Sequence, residues 1–171
     1  MDNIWFFSIP LGLIVGSFLN VVILRMNSGM TLGGRSQCFS CGIKLTWLDL
    51  IPVLSFVCLG GRCRSCKTSI SYQYPLVEVL TAGLFAVLTY MYTPDSFVNA
   101  VIWLIHIVIA CILVVIFVYD MKHKIIPNHL VYSFIVLAFI LQFMNSTAGV
   151  TGDNGVFRSV PMYDLLAEIG R

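Results

Sequence analysis

Val98-Asn-Ala-Val-Ile-Trp-Leu-Ile-His-Ile-Val-Ile-Ala-Cys-Ile-Leu-Val-Val-Ile-Phe-Val-Tyr119 decides the fold. These 22 residues carry no charged side chain, and as a helix rising ~1.5 Å per residue they cross the ~30 Å hydrocarbon core of a bilayer. Working outward, Ile4 to Leu24 has the same character over 21 residues, and Pro75 to Tyr92 and His129 to Met144 repeat it over 18 and 16. The last stretch spans only with flanking residues such as Ile125 and Ile126. A hydrophobic content of 58% against 11% charged residues, with a mean hydropathy of +0.92, excludes an ordinary soluble domain. The expected fold class is an all-α polytopic membrane protein of about four transmembrane helices, with the start of a fifth at Pro161 to Arg171. The first helix occupies residues 1–24, a loop domain 25–74 and a second membrane domain 75–171.

Charge placement gives the orientation. Arg25, Arg35, Lys44, Arg62, Arg64 and Lys67 crowd the loop between the first two spans against one acid, Asp49, and Lys122 and Lys124 follow the third. The connection Thr93 to Phe97 has no basic residue. Basic loops stay in the cytoplasm, so the loop domain and the Asp120 to Asn128 turn are expected there, with the N-terminus outside. Met1-Asp2-Asn3 supplies no basic region of the signal-peptide kind, so the first span is expected to stay attached. A net charge of +2 does not suggest nucleic-acid binding. No long-period repeat is evident.

The loop domain carries Cys38-Phe-Ser-Cys41 and Cys63-Arg-Ser-Cys66. Two Cys-x-x-Cys pairs can place four thiolates tetrahedrally around one zinc ion. The bland reading is two disulfides or free thiols; a cytoplasmic loop keeps thiols reduced and favours zinc. Arg62, Arg64 and Lys67 either offset the charge of the four sulfurs or form a basic rim facing anionic membrane lipid. Trp47 to Leu59 reads as a short interfacial helix or a small core packed on the cysteine pairs. Cys58 and Cys111 lack partner spacing and are expected as buried packing residues.

Several polar residues mark the spans. Ser8, Gly12, Gly16 and Asn20 recur every four residues, a face for close helix packing. Glu78 follows Pro75 near a helix start, where the macrodipole favours a carboxylate, but an ionisable group at the bilayer edge is also a site candidate. Asp120 ends the third span, where the same dipole disfavours it; either Lys122, His123 and Lys124 compensate, or Asp120 is held at the surface to handle protons. His106 is read as a packed, hydrogen-bonded membrane histidine.

In this order the motifs resemble the type IV prepilin peptidases. They are Gly16-Ser-Phe-Leu-Asn-Val-Val-Ile-Leu-Arg25, the cysteine pairs flanking Asp49-Leu-Ile-Pro-Val-Leu-Ser55, Gly60-Gly-Arg-Cys-Arg-Ser-Cys66, Ile70-Ser-Tyr-Gln-Tyr-Pro-Leu-Val-Glu78, and Asp120 followed by Ile125-Ile-Pro127. The resemblance implies an intramembrane aspartic endopeptidase of the bacterial cytoplasmic membrane, cleaving after the leader glycine of prepilins or pseudopilins from type IV pili and type II secretion. In many members it also N-methylates the new terminus using S-adenosylmethionine. It further implies Asp120 as the first catalytic aspartate and Cys38, Cys41, Cys63 and Cys66 as ligands of a structural zinc. The family's second aspartate lies in a Gly-x-Gly-Asp motif absent from this chain. Thr151-Gly-Asp153 lacks the first glycine, and Asp153 and Asp164 fall on the outer side. The expectation is therefore an N-terminal fragment, inactive alone, with residues 75–171 a partial peptidase domain.

A reading from another class is a membrane-anchored zinc-knuckle protein that docks a partner or lipid through Arg62, Arg64 and Lys67 without catalysis. A small transporter finds little support, since the spans show no inverted repeat.

Overall fold

The computed structural model describes residues 4–26, 33–92, 94, 96–124 and 128–150. Five α-helices follow in order: α1 (Ile4–Arg25), α2 (Leu54–Cys58), α3 (Gln73–Met91), α4 (Phe97–His123) and α5 (Asn128–Val150), with a 3₁₀ turn at Trp47–Leu50 ahead of α2. No strand occurs among the described residues, only isolated antiparallel bridges between Gln37 and Lys44 and between Arg62 and Ser69. The fold is all-α and polytopic. Three of the described helices, α1, α3 and α4, are long and apolar enough to cross a membrane, and α5 carries a shorter apolar segment, Leu130–Met144.

Two boundaries differ from the sequence reading. α4 continues past Tyr119 and Asp120 to His123, because Lys122 and His123 lie in its last turn and Lys124 caps it in the left-handed conformation, donating to the Asp120 carbonyl. Cations there complement the helix dipole. α5 runs through Asn145 to Val150, beyond the Met144 end of the apolar stretch read from the sequence. The incipient fifth span, Asp153 and Asp164 lie outside the described residues.

The chain is organised around the antiparallel pair α1 and α3. A Cβ on Gly12 would stand 2.6 Å from the Ala82 Cα, and one on Gly16 would stand 2.8 Å from the Glu78 Cα. One turn further, the Asn20 Nδ2 donates to the Tyr74 carbonyl at 3.1 Å. Each step of four along α1 thus meets a step of four back along α3, the register expected where small residues let backbones touch. Leu19 and Ile23 of α1, Val77 of α3 and Val114, Val115 and Val118 of α4 close the core beside this seam.

Several polar groups among the helices are satisfied locally, as a bilayer favours, while Asn20 Oδ1 and Gln73 Nε2 are buried without a partner. Thr81 and Thr89 donate to the carbonyls four residues back, and the Trp103 indole donates to the Thr89 hydroxyl, joining α4 to α3. His106 has Nδ1 2.8 Å from the Ile102 carbonyl and stacks on Tyr92, the structural role expected of it. Large apolar side chains such as Phe7, Phe18, Leu104 and Phe117 point outward, the pattern of a lipid-facing surface.

Gly16→Ala should separate α1 from α3 and destabilise the protein in detergent by about 1–3 kcal/mol, the usual cost of overpacking. Gly83→Ala, where nothing stands within 4 Å of the added carbon, should leave the thermal midpoint unchanged.

Candidate metal centre and its seat on the membrane helices

The four predicted cysteines converge. Their sulfurs all lie within 4.8 Å of one another, and Cys38 and Cys66 Sγ stand 3.8 Å apart. Four thiolates at ~2.3 Å from a tetrahedral zinc would be separated by about 3.8 Å. All six cysteines are free thiols, so the disulfide alternative is not realised.

Local backbone chemistry builds the cluster twice over. In the first knuckle the Cys38 amide donates to the Ile43 carbonyl, the Gly42 amide to Cys38 and the Leu45 amide to Ser36. In the second, the Cys63 amide donates to Thr68, the Lys67 amide to Cys63 and the Ile70 amide to Gly61. Every bond, and each antiparallel bridge, recurs at an offset of 25 residues. The residue after each second cysteine has positive φ, +70° at Gly42 and +59° at Lys67. The expectation of no repeat is thereby corrected. Its sequence trace is Cys-x-Ser-Cys alone, because turn geometry is encoded in hydrogen bonds that many side chains tolerate.

The sulfurs differ in proton affinity. The hydroxyl and amide of Thr68 hold Cys66 down at about 6, and the amides of Cys41 and Ser40 lower Cys38. At Cys41 the Ile43 amide works downward, but desolvation and the sulfurs of Cys66 and Cys38 prevail and push it up to about 11. Crowded thiolates repel, and a bound cation relieves that repulsion. The donor set therefore fits a divalent thiophilic ion.

An ion pair ties the segment between the knuckles to the second one. Arg64 Nη2, between Cys63 and Cys66, lies 2.8 Å from Asp49 Oδ1, while Asp49 Oδ2 accepts from the Thr46 amide and hydroxyl. Thr46 first, then Arg64, hold this carboxyl below the usual range. Of the three loop cations singled out in the sequence, Arg64 therefore has a partner within the domain.

Glu78 fixes the domain to the helices. Its buried carboxylate accepts the Val53 amide at 2.8 Å and hydrogen-bonds Ser17 of α1. Val53 follows Pro52 and takes φ +60°, ψ −49°, closing a γ-turn in which the Leu54 amide reaches the Pro52 carbonyl at 2.5 Å. For a β-branched residue that conformation is strained. A cavity of about 400 Å³ lies between knuckles and helices; Ser17, Arg25, Cys38, Cys63, Tyr74 and Glu78 are among its walls. Asp120 is not on that wall; it is exposed in the last turn of α4. Glu78 and the cysteines are thus brought to one site, and Asp120 is placed apart from its walls. Val53, Ser17 and Thr68 escaped the sequence reading, since nothing local in a valine, serine or threonine announces a hydrogen-bond partner on another element.

Glu78→Ala should leave the Val53 amide without an acceptor and cost about 1–3 kcal/mol, whereas Glu78→Gln, which keeps a side-chain oxygen, should retain most of the stability. Thermal unfolding in detergent compares the two.

Residues 11–92 match the family model described as the bacterial peptidase A24 N-terminal domain. The chain is 51% identical over 80 residues to a prepilin leader peptidase/N-methyltransferase of Myxococcus xanthus, covering 46% of this chain and 24% of that protein. Over 140 residues it is 38% identical to a protein of the same name from Vibrio cholerae, covering 75% and 52%. A type 4 prepilin-like proteins leader peptide-processing enzyme of Escherichia coli is 35% identical over 136 residues, covering 68% and 49%. The chain thus spans a quarter to about half the length of these relatives, and no solved structure matches it. With its paired knuckles seated on α1 and α3 inside the matched segment, the chain matches the bacterial peptidase A24 N-terminal domain over residues 11–92 and is similar, over that segment and beyond, to proteins named prepilin leader peptidases.

Proposed function

We propose that the protein processes type IV prepilins or pseudopilins at the cytoplasmic face of the bacterial inner membrane, as an intramembrane aspartic endopeptidase. The observation that carries this is the knuckle pair docked on α1 and α3 within residues 11–92, the segment shared with relatives named as prepilin leader peptidases. In the reaction one carboxylate activates water while the other, kept protonated by its neighbour, donates to the carbonyl or the leaving amine. Asp120 is our candidate for one of them. Asp49 is engaged by Thr46 and Arg64, and Glu78 by Val53 and Ser17, so neither is assigned as its partner, and the chemistry calls for a second aspartate.

Cys38, Cys41, Cys63 and Cys66 are proposed as the ligands of one structural zinc. The ion, when bound, cross-links the two knuckles; the loop domain of residues 25–74 in turn organises the substrate-facing side. N-methylation of the new terminus with S-adenosylmethionine is the second activity carried by the relatives' names, and no residue of this chain is assigned to the methyl donor. The exposed setting of Asp120, off the cavity wall, favours one rival, a zinc-knuckle binding protein without catalysis.

Asp120→Asn separates the two. In cells producing, together with a prepilin, a form of the protein that also carries a second aspartate in a Gly-x-Gly-Asp motif, the substitution should abolish leader cleavage with no change in protein level or metal content; normal processing removes Asp120 from the site. The purified protein should hold one zinc per chain by elemental analysis, and Cys63→Ser, which removes a buried sulfur, should lower that content sharply; metal-free protein with intact helices would overturn the zinc assignment.

A further inference from the structure

The segment between the knuckles carries an apolar face that none of the described residues covers. Trp47, Leu48, Leu50, Leu54 and Val57 are exposed, Trp47 by 74%, Leu54 by 62% and Val57 by 68%. Cys58, expected as a buried packing residue, is exposed beside them. On the other side of α2, Ser55, Phe56 and Leu59 line the cavity. The short helix is therefore apolar on both faces, and only one is packed.

Its depth can be read from the seam. Val53 is bonded to Glu78, and Glu78 lies against Gly16 of α1. From Gly16, α1 extends nine residues to Arg25 and twelve back to Ile4, which is ~13 Å and ~18 Å along a helix. α3 begins at Gln73, five residues or ~8 Å before Glu78, so with α1 and α3 as membrane spans the Val53 amide sits roughly 8–13 Å inside the ends of the spans, in the outer part of the ~30 Å hydrocarbon core. Irregular backbone survives at that depth only where its polar groups are satisfied within the protein. From Pro52 onward that condition is met for the amides. The amides of Val53, Leu54, Ser55 and Val57 have acceptors, as do those of Leu59, Gly60, Gly61 and Arg62 on the way out, and Pro52 has no amide to satisfy.

We propose that residues 47–58 form a re-entrant wedge whose outer face, Trp47, Leu48, Leu54, Val57 and Cys58, lies against the lipid chains of the bilayer leaflet. Its occupant is lipid because the Val53–Glu78 bond ties this segment to α3 within the span, where apolar side chains of α1 and α3 such as Phe18 and Leu76 are likewise exposed. The basic residues Arg62 and Lys67 on the adjoining knuckle match an anionic headgroup layer above it. The loop domain is accordingly half immersed, and its cavity opens at the interface instead of in bulk water.

Trp5→Phe combined with Trp103→Phe leaves Trp47 as the sole tryptophan. In lipid nanodiscs with brominated acyl chains, Trp47 should lose roughly half or more of its emission relative to unbrominated lipid, and iodide should quench it little, as for a side chain buried in the headgroup and acyl boundary. Unchanged emission with brominated chains and free quenching by iodide would overturn the wedge and leave a protein partner as the cover of this face. A parallel variant keeping Trp103 alone reports whether α4 lies in the bilayer, so failure of the wedge is distinguished from failure of the membrane placement. Cys58 provides a second measurement on the unsubstituted protein. A membrane-impermeant maleimide should leave it unmodified in nanodiscs and modify it after detergent unfolding; modification at the unfolded rate in nanodiscs also overturns the proposal.

Discussion

One hydrogen bond, from the Val53 amide to the Glu78 carboxylate, holds the loop domain in register with the membrane helices. Leaving the Val53 amide without its acceptor would cost about 1–3 kcal/mol, and the positive φ of Val53 costs about 1–3 kcal/mol. The two are of one size, so the turn persists because α3 presents its carboxylate at that point. Glu78 reaches it only because Gly16 lets α1 lie flat against the Glu78 backbone, which brings Ser17 to the same carboxylate. A side chain on Gly16, a lost carboxylate and a relaxed Val53 are three ways of disturbing one junction.

The two knuckles follow a different logic. Each is a tight turn whose backbone bonds close without help from the other, so each can present its two sulfurs before they meet. The Arg64–Asp49 pair ties only the segment between them to the second knuckle, and with the Arg64 side chain 57% exposed it belongs to the class worth at most about 1 kcal/mol. Four sulfurs held this close favour a cation among them. A bound metal would therefore be the main bond between the halves, and the junction at Glu78 is what relates the pair to the membrane.

Much of this was legible in the residues and some was not, for physical reasons. Uncharged runs of helix-spanning length announce α1, α3 and α4, because a bilayer leaves few other solutions, and Cys-x-x-Cys spacing announces the cluster, because chelation by a tight turn needs those two intervening residues. Ser8, Gly12, Gly16 and Asn20 gave the packing face, though not its partner. The last turn of α4 was missed because Asp120 argues against a helix end while Lys122 and His123 argue for one a turn later, and the cations prevail. Cys58 was misassigned because burial of an apolar thiol is a rule for water. The same thiol facing lipid counts as exposed in the structure and still avoids solvent.

That last point bears on how the parts could work together. With residues 47–58 immersed and the knuckles at the surface, the cavity walls run from Arg25 and Arg35 at the charged end of α1 to Glu78 within the span. A chain entering from the membrane surface would meet basic side chains first and a low-dielectric wall after. On the proposed function, a prepilin leader would present a peptide bond at the membrane face while its apolar segment stays in lipid, and a cleft graded in this way would separate those two requirements. Asp120, one turn before the capped end of α4, is exposed where that helix reaches its charged terminus. Positioning and cutting would then be divided between the junction built on α1 and α3 and the end of α4. The packing of Val77 of α3 with Val114, Val115 and Val118 of α4 sets the spacing between them.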